Sequence, residues 1–233
     1  MKKLVIISLL ILLARCEGYI PSTQALSVII DATDGENRDA RFKHISSHLY
    51  KGHSSDGISI SLRYVSETRY APSYEFELPI GDVGLLSNED ARRRKRRMLL
   101  SQFKDTLENT KRGLSSQSEI FRLVVDEANK LSKISGRRSI LLFSDLKEHS
   151  FFSVYKREDL QKLLTSPELV VQEFTDEVSL NENLSGIAIY IVHTPSLEDD
   201  KVFTAMIGVY RTILESRGAT LVTTRTKRVQ IKP

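Results

Sequence analysis

The sequence predicts an α/β domain with a doubly wound, mostly parallel sheet, one antiparallel edge strand and helices on both faces. Three short apolar runs, at residues 25–30, 139–143 and 186–192, are typical of strands buried between two helical layers. Helical patterns alternate with these runs, as they do in parallel sheets. Two runs of alternating polarity, at residues 58–65 and 74–80, flank a loop with Pro72 and predict an antiparallel pair.

The remaining elements follow from the helical spacing of apolar residues and from capping residues. Ser116 and Glu119 have the spacing of a capping box, which predicts that a helix starts there. Gly52 and Gly218 are placed to end helices. Helices are expected at residues 37–50, 88–111, 116–131, 157–164 and 199–217, with a less regular segment up to residue 178 and a last strand at residues 219–224.

The first sixteen residues have the layout of an export signal: Lys2 and Lys3, an apolar run at residues 4–14, then Arg15 and Cys16. Lys2, Lys3 and Arg15 are three of the 34 basic residues, which leaves 31 against 30 acidic ones in the mature chain. The net charge of +4 comes mostly from the signal and therefore does not favour any particular partner, nucleic acid included. With 40% hydrophobic and 27% charged residues, the rest of the chain can bury a full core and is not of the disordered class.

Cys16 is the only cysteine, so the chain cannot form an intramolecular disulfide. Residues 13–16, Leu-Ala-Arg-Cys, resemble the box that ends bacterial lipoprotein signals, in which the cysteine is lipidated. The resemblance implies a signal at residues 1–16, a tether at residues 17–24 and a domain at residues 25–233, anchored through Cys16 to a bacterial membrane and facing the periplasm or the exterior. An ordinary cleaved signal and an uncleaved signal anchor remain alternatives.

Three loops are expected at the carboxyl ends of the strands, where doubly wound sheets bind ligands. They are residues 31–35 after the first strand, residues 113–116 before the capped helix and residues 144–146 after the 139–143 strand. Their carboxylates and hydroxyls are hard oxygen donors, which suit Mg²⁺. The sequence therefore predicts a ligand site, with Mg²⁺ as a candidate ion, where these loops meet.

The order of strands, helices and loops over residues 25–226 resembles the von Willebrand factor A domain. The resemblance implies a metal-ion-dependent adhesion site with Asp31 as its first aspartate, Thr33 in place of its first serine and Asp145 as its last aspartate. Ser116, or its neighbour Ser115, stands in place of the family's threonine. Gly35 stands where the family has a second serine hydroxyl. Such domains bind a partner whose carboxylate completes the coordination of the metal, which implies a protein-binding module without enzymatic activity.

Two other functions use some of the same residues. Asp31, Ser144, Lys147 and the pair Asp199 and Asp200 can be assigned to an aspartyl-phosphate hydrolase of the haloacid dehalogenase type. A component of a secretion or conjugation apparatus would instead use the basic run Arg92, Arg93, Arg94, Lys95, Arg96 and Arg97. That run is either a solvated helix face or a contact for a polyanion such as acidic lipid headgroups, glycan or DNA. Asp and Thr after a strand also occur as simple turn and capping residues.

Overall fold

A computed structural model describes residues 19–31, 42–49, 52–65, 72–82, 88–110, 117–193 and 200–224. The strands are β1 (Thr23–Ile30), β2 (Gly57–Tyr64), β3 (Ser73–Leu78), β4 (Gly136–Phe143), β5 (Ile187–Val192) and β6 (Thr220–Thr224). The helices are α1 (Phe42–Ser47), α2 (Glu89–Asn109), α3 (Ile120–Leu131), α4 (Arg157–Thr165), α5 (Pro167–Glu177) and α6 (Asp200–Glu215). The element boundaries agree with the prediction to within a few residues. The predicted start of α1 cannot be compared, because residues 37–41 lie outside the described part.

The described strands form one sheet in the order β3-β2-β1-β4-β5-β6. Every neighbouring pair is parallel except β2 and β3, which are antiparallel. The predicted doubly wound α/β fold with one antiparallel edge strand is therefore confirmed. We call the side where the parallel strands begin the amino end of the sheet, and the side where they finish its carboxyl end.

The two faces of the sheet carry separate hydrophobic cores, because successive side chains of a strand point to opposite faces. On β1, Ala25 and Ile29 pack against α3 and the helices after it, whereas Leu26, Val28 and Ile30 pack on the face of α1 and α2. This division explains why the strand reads as a continuous apolar run. Helices on both faces are confirmed.

Gly136 fixes the start of β4 beside β1. Its φ of +107° lies in a region that other residues rarely adopt, and a Cβ there would lie 2.2 Å from the carbonyl oxygen of Thr23. The close approach lets Thr23 and Gly136 pair in register, so that the two strands finish side by side at Ile30 and Phe143. The residues that follow these two strand ends form the candidate site.

Candidate functional site at the carboxyl end of β1 and β4

Asp31 and Ser144 join the ends of β1 and β4. The Asp31 N–H donates to the carbonyl of Phe143 at 2.9 Å, which continues the strand pairing. The Ser144 Oγ donates to Oδ2 of the buried Asp31 at 2.9 Å. The strand order reverses between β1 and β4, so this pair lies at the topological switch point, where doubly wound sheets bind ligands.

The loop after β4 holds a strained turn around Asp145. Leu146 has a φ of 62°, which is uncommon for a residue with a branched side chain. Its N–H donates to Ser144 Oγ at 2.9 Å, so the same hydroxyl supports the turn and contacts Asp31. The N–H of Lys147 donates to Asp145 Oδ1 at 3.0 Å, and the Lys147 ammonium lies 3.5 Å from Asp145 Oδ2. Asp145 is thereby oriented and partly neutralised by its own loop.

Glu148 is a buried carboxyl group that the sequence analysis does not identify. Its Oε2 accepts from the Phe121 N–H in the first turn of α3 at 3.0 Å, and its Oε1 accepts from Ser150 Oγ at 2.6 Å. Burial raises the pKa of Glu148 to about 8, against the effect of these hydrogen bonds, and the negative charge of Asp31 contributes in the same direction. Glu148 is therefore largely protonated at neutral pH.

The start of α3 differs from the predicted capping box. The helix begins at Ile120 with Glu119 as its N-cap, and the Glu119 side chain makes no capping hydrogen bond. Glu148, which is 27 residues away from Phe121 in the chain, supplies the acceptor instead. The prediction that Ser116 opens the helix was wrong because this cap comes from tertiary structure, which local spacing does not reveal. The predicted metal ligand Ser116 itself lies outside the described residues.

Tyr210 of α6 brings a hydroxyl group toward the same carboxylates. Within the described part of the chain this buried hydroxyl has no hydrogen-bond partner. Burial, followed by the negative charges of Glu148, Asp31 and Asp145, raises the pKa of Tyr210. The site thus combines three carboxyl groups, a serine hydroxyl and a phenol hydroxyl, with the ammonium of Lys147 as an opposing charge beside Asp145.

The structure brings together some of the predicted metal ligands and leaves others outside its description. Asp31 and Asp145 follow adjacent strands, as expected, whereas Thr33, Gly35 and Ser116 lie outside the described residues. Among the residues that the structure does describe, no group of three or more His, Cys, Asp or Glu side chains is arranged to hold a metal ion. The described donors are two carboxylates and one hydroxyl, which is the hard-oxygen chemistry that Mg²⁺ prefers.

The residues assigned to a phosphohydrolase are only partly assembled. Asp31 and Ser144 are in hydrogen-bond contact, but the Lys147 ammonium pairs with Asp145. Asp200 begins α6, and Asp199 lies outside the described part. The Ser144 hydroxyl donates to Asp31 and accepts from the Leu146 N–H, so its bonds hold the loop in place.

The basic run Arg92 to Arg97 lies in the first turns of α2, after the N-cap Asn88. Arg92 has a structural contact: its guanidinium donates to the carbonyls of Ser54 and Asp56, each at 3.0 Å, and to that of Pro79. It thereby ties α2 to the segments that precede β2 and follow β3. Arg93 pairs with Glu89 one turn earlier at 3.0 Å on the exposed side. Arg94, Lys95 and Arg97 are exposed to solvent.

No helix in the described ranges is long and apolar enough to span a bilayer. The candidate lipidation site Cys16 and the apolar run before it lie outside those ranges. No protein-family model matches the chain, and a search of curated proteins also finds no match. The case for a binding site therefore depends on the fold and on the residues at the carboxyl end of β1 and β4.

Proposed function

We propose that this chain is an exported, lipid-anchored binding module of the cell envelope, similar to von Willebrand factor A domains, which docks a protein partner between the carboxyl ends of β1 and β4. The observation that carries the proposal is the junction of Asp31, Ser144 and Asp145 at the switch point of the sheet. Parallel strands bring these residues together from positions more than one hundred apart in the chain.

The chemistry of the junction favours binding over turnover. Asp31 is buried and accepts the Ser144 hydroxyl, which also accepts from the Leu146 N–H, and Asp145 contacts Lys147, so these polar groups hold the two strand ends and the loop together. The N–H and the ammonium of Lys147 contact the Asp145 side chain, which is 15% exposed. A partly exposed carboxylate of this kind suits a partner that docks through a bound cation.

Mg²⁺ is the cation that these oxygen donors would bind, with Asp31 and Asp145 as the described ligands. Once bound, it would supply positive charge for a carboxylate of the partner. The ammonium of Lys147 already contacts Asp145 and competes for the same oxygen. Protonated Glu148 also limits the negative charge of the site. Mg²⁺ affinity is therefore expected to increase when Lys147 loses its charge.

Partner docking is tested by placing a photoreactive benzoylphenylalanine at Tyr155 in the full chain, expressed in its own envelope. Tyr155 lies on the loop after β4, packs against His149 and is 59% exposed. We expect irradiation to give one adduct of defined mass, which Asp145→Ala abolishes. The matched control places the same residue at Leu164 of α4, which is 49% exposed. Equal adducts from both positions, or an adduct that survives Asp145→Ala, would contradict docking at this site.

The contribution of Mg²⁺ is tested by thermal unfolding. At about ten times its dissociation constant, Mg²⁺ should stabilise the protein by roughly 1.4 kcal/mol, which raises the melting temperature by about 3–5 °C. Asp145→Ala should remove this rise and Lys147→Gln should enlarge it, whereas Asp176→Ala on the exposed side of α5 should leave it unchanged. If neither the natural chain nor Lys147→Gln responds to Mg²⁺, the partner docks without a metal bridge.

A further inference from the structure

The amino end of the sheet carries a basic groove that the proposed docking site does not use. Three adjoining cavities of about 260, 340 and 730 Å³ lie along the start of α2, and Arg96 lines all of them. Arg137, at the start of β4, lines the smallest cavity, Arg93 lines the other two and Arg97 lines the largest. Asp56, Glu89 and Asp90 each line one of these cavities, where the arginines outnumber them. We call Arg93, Arg96, Arg97 and Arg137 the basic groove. Its guanidinium groups have the geometry that binds phosphate.

Exposed apolar side chains lie beside this groove. Ile20, just before β1, is 85% exposed, and Ile80, just after β3, is 50% exposed. Tyr19 lines the smallest cavity together with Arg96 and Arg137, and its hydroxyl donates to Asp56. Apolar side chains interspersed with arginines are typical of surfaces that rest on a membrane, because the rings and chains enter the interface while the cations bind headgroups.

The N-terminal segment joins the domain at the same place. Tyr19 is the first described residue, and Cys16 precedes it by three residues, which span at most about 11 Å when fully extended. A lipid on Cys16 would therefore hold Tyr19, which lines the smallest cavity, within about 11 Å of the headgroups, a distance comparable to the Debye length of about 8 Å at physiological salt. Each arginine close to the surface of an anionic bilayer strengthens the binding of the protein to that bilayer by a factor of about five.

We propose that the amino end of the sheet rests on anionic phospholipids, with the basic groove bound to their phosphate groups. The inference builds on the proposed lipid anchor and adds the orientation of the domain. β1 has eight residues and spans about 26 Å from the amino end to the carboxyl end. Asp31 and Asp145 are thus held at that height above the bilayer, facing away from it and open to a partner.

Anionic lipid fits these observations better than nucleic acid or an acidic glycan. Either of those polyanions would use the arginines, but neither would use Ile20 and Ile80, which are exposed at the same end of the sheet. The arginine run is also interrupted at its start, because the guanidinium of Arg92 is directed to three backbone carbonyls.

The orientation is measured with tryptophan fluorescence, because the natural chain contains no tryptophan. The full chain, isolated from membranes, carries Ile80→Trp at the amino end or Tyr155→Trp on the loop after β4, and is reconstituted into vesicles with brominated lipids. We expect Ile80→Trp to be quenched at least about twice as strongly as Tyr155→Trp in phosphatidylglycerol vesicles. The difference should shrink in phosphatidylcholine and at high salt, because both weaken attraction to the surface.

Charge reversal tests the basic groove directly. Arg96→Glu with Arg137→Glu should reduce the quenching of Ile80→Trp to that of Tyr155→Trp, whereas Lys156→Glu with Arg157→Glu, an equal change at exposed residues near α4, should not. Arg96→Lys with Arg137→Lys should keep most of the effect. Unchanged melting temperatures would show that the variants fold.

Several outcomes separate this inference from the proposals on which it builds. Equal quenching at the two tryptophans in phosphatidylglycerol would overturn it, even if a fatty-acid probe labels Cys16. Absence of labelling together with strong quenching at Ile80→Trp would contradict the lipid anchor and support the groove. Binding of DNA or heparin that the reversal abolishes, without any difference in quenching, would assign the groove to another polyanion. Absence of the cross-linked partner adduct would contradict partner docking at the carboxyl end of the sheet and would leave the quenching result, and so this inference, unchanged.

Discussion

Replacing Glu127 with alanine is expected to lower the free energy of unfolding by about 3–5 kcal/mol, since it removes one partner of a buried ion pair. Glu127 lies on the inner face of α3 and is almost fully buried. Its Oε2 accepts from Ser27 Oγ of β1 and Ser61 Oγ of β2, each at 2.9 Å, and its Oε1 contacts the guanidinium of Arg63 at 3.0 Å. Alanine would leave a guanidinium and two hydroxyls without their acceptor.

The measurement is urea unfolding followed by circular dichroism. Glu127→Gln should cost less than alanine, because it keeps acceptors for the serine hydroxyls. Arg63→Met combined with Glu127→Leu should cost less than Glu127→Ala alone, because no charge then stays buried without a partner. Arg211→Ala serves as the exposed control: Arg211 lies 3.6 Å from Glu215 on the surface, and such pairs contribute about 0–1 kcal/mol. A cost of Glu127→Ala as small as that of Arg211→Ala would refute this assignment.

Glu148→Gln is expected to make the protein more stable above pH 8, by an amount on the order of 5 kcal/mol. Burial raises the pKa of Glu148 to about 8, whereas the unfolded chain has the ordinary value of 4.5. Between these two values the folded state keeps a proton that the unfolded state has lost. Glu148 therefore makes the free energy of unfolding fall as pH rises from about 4.5 to 8, by about 1.4 kcal/mol per pH unit.

Glutamine has the shape of protonated Glu148 and does not titrate. Its oxygen can accept from the Phe121 N–H and its amide can donate to Ser150 Oγ, so both contacts of the natural side chain are kept. Stability measured from pH 4 to 9 should show a difference between Glu148→Gln and the natural chain that grows toward alkaline pH. Glu158→Gln, at the exposed start of α4, is the matched control. Parallel curves for Glu148→Gln and the natural chain would contradict a raised pKa.

The fold could be predicted from the sequence because its strands and helices have strong and separate patterns. The runs that became β1, β4 and β5 are apolar on both faces, and only a sheet covered on both sides buries such strands. The alternation of β3, with Tyr74, Phe76 and Leu78 toward the core of α2, predicted its place in an antiparallel pair. The segment before residue 178 was less regular, and it folds as α5 behind Pro167, a residue that favours the first turn of a helix.

The candidate site could be predicted only in part. Asp31 and Asp145 were identified because each directly follows a buried strand. Glu148 and Tyr210 gave no such signal, since their roles arise from contacts with α3 and with the carboxylates across long stretches of chain. The sequence does contain a signal for Glu127. Its position lies on the inward face of α3 with Ile120, Val124 and Leu131, and a single carboxylate there requires buried partners.

The edge strand β3 also affects whether two molecules can associate through their sheets. β3 is the last strand on its side of the described sheet, and its exposed side chains include Glu75 and Glu77. If two copies met along this strand, the carboxylates of one would face those of the other, and like charges oppose cross-strand pairing. The proposed lipid anchor would confine the protein to a plane, where its local concentration is high. There the negative charge on β3 would oppose pairing between the sheets of neighbouring molecules.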